Sequence, residues 1–92
     1  MRSILIMIPS TLSLADLPPR TWAVLAQWDE TVENFSFRQR VMEMGLVPGT
    51  RVRIAHVAPF GGTIAVEARG AMLALRREDA RGILVRVEEG AV

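Results

Sequence analysis

The spacing of apolar residues after position 35 predicts one short helix. Three of them recur with the helical period and are expected to face a core: Phe37, Val41 and Met44. Ser36 and Gln39 have the spacing of a capping box, so the helix is predicted to begin at Ser36. Gly45 supplies a residue that tolerates the left-handed backbone at a helix end, and Leu46 is placed to fold back on Val41.

Apolar and polar residues alternate on both sides of this helix, which predicts β-strands. The first strand is predicted to place four residues on one face, with both tryptophans in the core: Trp22, Val24, Ala26 and Trp28. The later strands carry these alternating apolar positions: Val52 and Ile54; Ile64, Val66 and Ala68; Leu73 and Leu75; Ile83, Val85 and Val87. A polar helical segment is predicted at 76–81, between the last two strands.

The pairing register of the central hairpin, which the strands around Ile54 and Val66 form, can be predicted from the charges on the two strands. Pairing Ile54 with Val66 places Arg53 opposite Glu67, whereas a slip of two residues would place Arg53 opposite Arg69. Opposite charges across a strand pair are favourable and like charges are not, so we predict the first register.

The order of these elements favours a single small barrel of mainly β structure, with about five strands and one short α-helix. We assign residues 11–88 to this domain, residues 1–10 to an N-terminal arm or extra strand, and residues 89–92 to a frayed C-terminus. The apolar run at 4–8 has five residues, which is too short for a membrane span or a signal sequence. We therefore expect no direct membrane insertion.

The amino-acid composition excludes several kinds of catalytic and metal-binding site. The 92 residues include no cysteine, no lysine and one histidine, which excludes disulfides, thiol nucleophiles, Schiff bases and a three-histidine metal site within one chain. No nucleophile elbow and no phosphate-binding glycine motif is present, so the chain is predicted not to be an enzyme. The formal net charge of +1 gives little attraction to nucleic acid, and we expect no nucleic-acid partner.

Four segments together resemble the FeoA family. The run from Phe37 to Thr50 is similar to the family's helix-to-strand signature. Three further segments follow at the family's spacing: 57–61, Gly70, and 73–77 with Ala80 and 83–85. The resemblance covers 11–87 and implies an SH3-like barrel in the cytoplasm. It also implies an accessory role in bacterial ferrous iron uptake, with FeoB, a membrane permease that carries a cytosolic GTP-binding domain, as the partner.

The sequence departs from the family pattern in three places. Arg20 stands where many members have glycine, so the turn into the first strand is expected to differ. Gly62 and Thr63 replace a common Asp-Pro pair after the hairpin glycine. His56 stands where a longer basic residue is frequent.

The candidate partner-binding residues are Pro59, Phe60, Gly61, Arg76 and Arg77. Phe60 lies in a Pro-Phe-Gly-Gly hairpin tip, where a large apolar side chain either plugs the end of the barrel or anchors a partner. The two arginines either form a basic docking face with Arg51 and Arg53 or belong to a solvated surface with Glu67, Glu78 and Asp79.

His56 is the one candidate metal ligand. A two-fold homodimer would pair it with its mate and borrow carboxylates, giving an intermolecular Fe²⁺ or Zn²⁺ site. His56 also has the strand phase of Val52 and Ile54, which favours a histidine at the rim or in the core. No cofactor is expected to be required. The competing functional class is thus a regulator or adaptor whose dimerisation depends on metal.

Overall fold

A computed structural model describes residues 11–29 and 35–88. The strands are β1 (Thr11–Ser13), β2 (Ala23–Trp28), β3 (Arg51–Val57), β4 (Thr63–Ala68), β5 (Ala71–Arg76) and β6 (Ile83–Val87). A 3-10 turn (Leu14–Asp16) follows β1, helix α1 is Phe35–Glu43, and the short helix α2 is Arg77–Ala80. The arm or extra strand predicted at 1–10 and the frayed end predicted at 89–92 lie outside the described residues.

All six described strands form one antiparallel sheet in the order β1-β6-β2-β3-β4-β5. The mainly β architecture with one short helix is confirmed, and the helical segment predicted at 76–81 is α2. The sheet as described is not closed, since no strand pairing joins its edges β1 and β5. Helix α2 contacts both β5 and the 3-10 turn, so it spans the gap between the two edges.

The predicted register of the central hairpin is confirmed. Ile54 pairs with Val66 and Arg53 pairs with Glu67 across β3 and β4. The Nε of Arg53 lies 2.7 Å from Oε1 of Glu67. The ion pair and the buried alternate residues therefore specify the same alignment.

A β-bulge corrects the prediction for β2. Leu25 pairs with Val85, but Gln27 pairs with Leu84, so Ala26 is an extra residue that changes the side on which later side chains lie. The buried face of β2 is Ala23 and Leu25. Trp28 packs against the core only because it follows the bulge. Trp22 precedes the bulge and lies on the outer face, so its predicted core position is wrong.

The end of α1 has the predicted geometry. Gly45 has φ +98°, its N–H donates to Met42 O at 3.0 Å, and the N–H of Leu46 donates to Val41 O at 3.0 Å. These two bonds define a Schellman motif, in which a left-handed residue lets the next apolar side chain fold back. Leu46 and Val41 are each 1% exposed. The segment after the helix is thereby fixed against the core.

The start of α1 was predicted less well. The helix already includes Phe35 and Ser36, so Ser36 is not its N-cap residue. Phe37 is buried as predicted, whereas Met44 is half exposed because the chain has left helical geometry by Gly45. The core also contains Leu14 from the 3-10 turn and Leu17, which directly follows the turn.

Candidate functional site: an exposed tip beside arginines

The hairpin between β3 and β4 presents its aromatic residue to solvent. Two backbone hydrogen bonds hold the turn, from Ala58 N to Thr63 O at 2.9 Å and from Gly61 N to Ala58 O at 2.8 Å. Gly61 has φ +75°, a conformation that favours glycine. The side chain of Phe60 is 100% exposed. The hypothesis that Phe60 plugs the end of the barrel is therefore wrong.

The two candidate arginines lie beside this turn. Arg76 is opposite Thr63 in the β4–β5 register, at the same end of the sheet. The N–H of Arg77 donates to Gly62 O at 3.0 Å, which ties the start of α2 to the hairpin. A Cβ built on Gly61 would lie 3.6 Å from a guanidinium nitrogen of Arg77. The five residues predicted to bind a partner are thus brought together, and we call them the tip surface: Pro59, Phe60, Gly61, Arg76 and Arg77.

A third arginine extends the tip surface. Arg81 lines a cleft of about 300 Å³ together with Gly62, Arg76, Arg77 and Glu78. Arg81 is not among the predicted partner-binding residues, although it follows Arg77 by four residues in a polar helical segment, a spacing that places both on one helix face. An exposed aromatic side chain next to planar guanidinium groups is the chemistry that recognises an apolar surface bearing carboxylates.

Arg51 and Arg53 do not belong to the tip surface, which corrects one of the predicted docking faces. They lie at the start of β3, six and four residues before Val57, which is about 20 and about 13 Å at the rise of a strand, and the tip follows Val57. Their guanidinium carbons lie 4.2 and 4.9 Å from the ring centroid of Trp22. Arg51 also donates two hydrogen bonds to the carboxylate of Glu88, at 2.5 and 3.1 Å.

These contacts lower the pKa of Glu88, first through the hydrogen bond from Arg51 and then through its charge, and they raise the pKa of Arg51. A carboxylate whose pKa is lowered by folding stabilises the fold above its unfolded-state pKa. That stabilisation disappears as the pH falls through the folded-state pKa.

We expect Glu88→Gln to lower the Tm at pH 7, and we expect the difference from wild type to shrink as the pH falls below the unfolded-state pKa of the carboxyl. Thermal unfolding followed by circular dichroism from pH 7 to pH 3 measures this difference. The effect is expected to be small because the pair is solvent-exposed. A Tm difference that stays constant over the whole pH range would contradict the assignment.

A second bulge determines the position of His56. Ile54 pairs with Val66 but His56 pairs with Ala65, so Ala55 is the extra residue and His56 is moved to the outer face. His56 is exposed, so the alternative that placed it in the core is wrong. Residues 11–29 and 35–88 contain no group of three or more His, Asp or Glu side chains that could hold a metal ion. The described part of one chain therefore does not fit a metal site.

None of the helices described is long and apolar enough to span a membrane.

Taken together, a partly open barrel of short antiparallel strands, a helix that ends against the core and an exposed hairpin tip define the SH3-like class of small domains. A solved structure of this kind is the FeoA of Stenotrophomonas maltophilia complexed with zinc, an SH3 domain protein and a candidate ferrous iron transport activating factor. It is 31% identical over 80% of this chain and 88% of its own, with a TM-score of 0.69.

Two other solved structures of FeoA proteins are also similar to this chain in fold and sequence. The FeoA protein of Chlorobium tepidum is 30% identical over 87% of this chain and 76% of its own, with a TM-score of 0.76. The FeoA-like protein of Clostridium acetobutylicum is 28% identical over 92% of this chain and 95% of its own, also with a TM-score of 0.76. The family model described as the FeoA domain matches residues 12–87. The chain belongs to the FeoA family.

Proposed function

We propose that this chain is a non-enzymatic, cytoplasmic accessory protein of ferrous iron uptake that docks on the cytosolic part of a FeoB-type permease. The observation that carries this proposal is the full exposure of Phe60 beside Arg76 and Arg77. A large apolar side chain gains nothing for the fold at such a position, but it is an efficient anchor once a partner buries it. The role in ferrous iron uptake is inferred from membership of the FeoA family. The contact with the permease is inferred from the exposed tip surface.

A module without catalytic groups acts on its partner only through differential binding. It must bind one conformation of the permease's GTP-binding region more tightly than another and thereby raise the population of that conformation. Moving a two-state equilibrium from 1:99 to 99:1 requires a preference of about 10⁴-fold, whereas a tenfold preference already changes the populations measurably. The tip surface is small, so we expect a preference at the lower end of this range.

We expect Phe60→Ala to weaken binding to the permease's soluble GTP-binding domain by about 30-fold, the loss typical of an interface hot spot of ~2 kcal/mol. The Tm should not change, because Phe60 makes no contact with the core. Phe35→Ala is a matched control, since Phe35 is also largely exposed but lies on α1. Isothermal titration calorimetry measures both. Equal affinities for wild type and Phe60→Ala would refute the role of the tip surface.

The second candidate is a regulator whose dimerisation depends on metal. The exposed position of His56 favours it, because an outward histidine can be shared across a two-fold axis. One structural relative was solved with zinc. Light scattering with and without Zn²⁺ or Fe²⁺ tests this function: a metal-dependent dimer that His56→Ala abolishes supports it. A mass that is the same in the presence and absence of metal rejects it.

A further inference from the structure

A second cleft, of about 570 Å³, opens at the opposite end of the β3–β4 hairpin from the tip surface. Its lining includes the apolar groups of Trp22, Val47 and Pro48. Arg51 and Arg69 also line it. We propose that this cleft, which we call the tryptophan cleft, binds an extended acidic peptide segment of a partner protein. The proposal is independent of the docking at the tip surface.

Charge is concentrated around the tryptophan cleft. Four arginines lie near Trp22. Arg51 and Arg53 lie over its ring. Arg69 lines the tryptophan cleft with it, and Arg20 lines a second cleft with it. Two glutamates compensate part of this charge, since Glu88 binds Arg51 and Glu67 binds Arg53. The side chains of Arg20 and Arg69 have no ion pair or hydrogen bond with any residue in the described ranges. The local excess of positive charge therefore exceeds the net +1 of the whole chain, and it attracts an acidic ligand.

The same two arginines have an unfavourable backbone. Arg20 has φ +61° and Arg69 has φ +54°, and among the described residues they alone combine a side chain with a positive φ. Arg69 and Gly70 form the two-residue β4–β5 turn, a position where asparagine followed by glycine is preferred. An L-residue costs about 1–2 kcal/mol in the left-handed region. Arginine thus occupies two strained positions, each of which lines a cleft together with Trp22, and this favours a role for the two charges in binding.

The shape of the cleft favours a peptide over a small anion. Its volume greatly exceeds that of a phosphate ion, and Trp22, Val47 and Pro48 offer apolar surface that an anion would not use. Gly49 and Gly70 in the lining leave room for a second backbone to approach. A peptide with alternating acidic and apolar side chains would place carboxylates on Arg69 and apolar groups on the indole.

The probe for the test is an acetylated, amidated hexapeptide of alternating glutamate and leucine, and the comparison peptide has glutamine in place of glutamate. Titration calorimetry on the wild-type chain is combined with the fluorescence of Trp22 in a Trp28→Phe variant. We expect saturable binding of the acidic peptide, at least tenfold weaker binding of the glutamine peptide, and a decrease in affinity with added salt. Equal affinities for the two peptides would overturn the proposal.

The variant Arg69→Asn distinguishes a role of Arg69 in peptide binding from a role in stabilising the fold. The side chain of Arg69 lies over Gly45 at the end of α1, where it would also favour the helix C-terminus. We expect Arg69→Asn to bind the acidic peptide at least fivefold more weakly with an unchanged or higher Tm, while Arg40→Gln, an equal loss of charge on α1, leaves binding unchanged. A lower Tm with unchanged peptide affinity would overturn the proposal. Displacement of the peptide by inorganic phosphate or by a thymidine oligonucleotide at equal concentration would also overturn it.

Discussion

Replacing Leu46 with alanine is expected to lower the free energy of unfolding by about 2–5 kcal/mol, the range measured for leucine-to-alanine changes in well-packed cores. Leu46 is 1% exposed and connects two parts of the domain, because its N–H closes the Schellman motif while its side chain enters the core. Truncation leaves a cavity and removes the contact with Val41. For a domain of this size such a loss is a large part of the total stability.

Urea denaturation followed by tryptophan fluorescence measures this change. Met44→Ala is the matched control, because Met44 lies two residues earlier and is half exposed. We expect Met44→Ala to lower the free energy of unfolding by less than about 1 kcal/mol. Similar losses for the two variants would mean that the segment after α1 is not packed against the strands as described.

Reversing both tip arginines, in Arg76→Glu combined with Arg77→Glu, is expected to weaken binding to the permease domain by more than about 100-fold. Opposed like charges at an interface cost several kcal/mol, and the change also removes two planar donors for partner carboxylates. Both residues lie at the protein surface, so the fold should be retained. The wild-type affinity is expected to fall with added salt, because exposed charges are screened.

A control with the same change in net charge reverses Arg40 and Arg86, which are exposed and lie outside the tip surface. We expect its affinity to stay within about threefold of wild type at physiological ionic strength, where long-range attraction is largely screened. Surface plasmon resonance with the immobilised permease domain measures both double variants. If the two weaken binding equally, only net charge matters and the tip surface is not the contact.

The parts of the fold that follow from local chemistry could be predicted from the sequence. The end of α1 was predictable because Gly45 and Leu46 fulfil a specific backbone requirement. The β3–β4 register was predictable because one pairing satisfies both the buried face and the Arg53–Glu67 charges. These features depend on few residues that are close in sequence or directly opposed.

The two bulges could not be predicted in this way. Each adds one residue to a strand, at Ala26 and at Ala55, and neither alanine has a side chain that marks a bulge. Because side chains alternate along a strand, one extra residue reverses every position that follows. The bulge at Ala26 brings Trp28 to the core side but leaves Trp22 on the outer face, although the two have the same strand phase, and the bulge at Ala55 takes His56 out of the phase of Val52 and Ile54.

The residues of the two candidate sites also divide into those that the sequence predicts and those that only the fold reveals. Pro59, Phe60 and Gly61 are adjacent in sequence, so their common tip was evident, whereas their proximity to Arg77 depends on the backbone bond to Gly62. Arg20 and Arg69 became notable only through their positive φ values, which composition does not show. The tryptophan cleft therefore could not be inferred before the fold was known.

The most direct test of the account is the affinity of the intact chain for the permease's cytosolic GTP-binding domain, measured by calorimetry in two states of that domain. One state contains GDP and the other a non-hydrolysable GTP analogue. We expect saturable binding in which the two affinities differ by about tenfold or more, since a population shift requires differential binding. Identical affinities in the two states, or no binding in either, would contradict it.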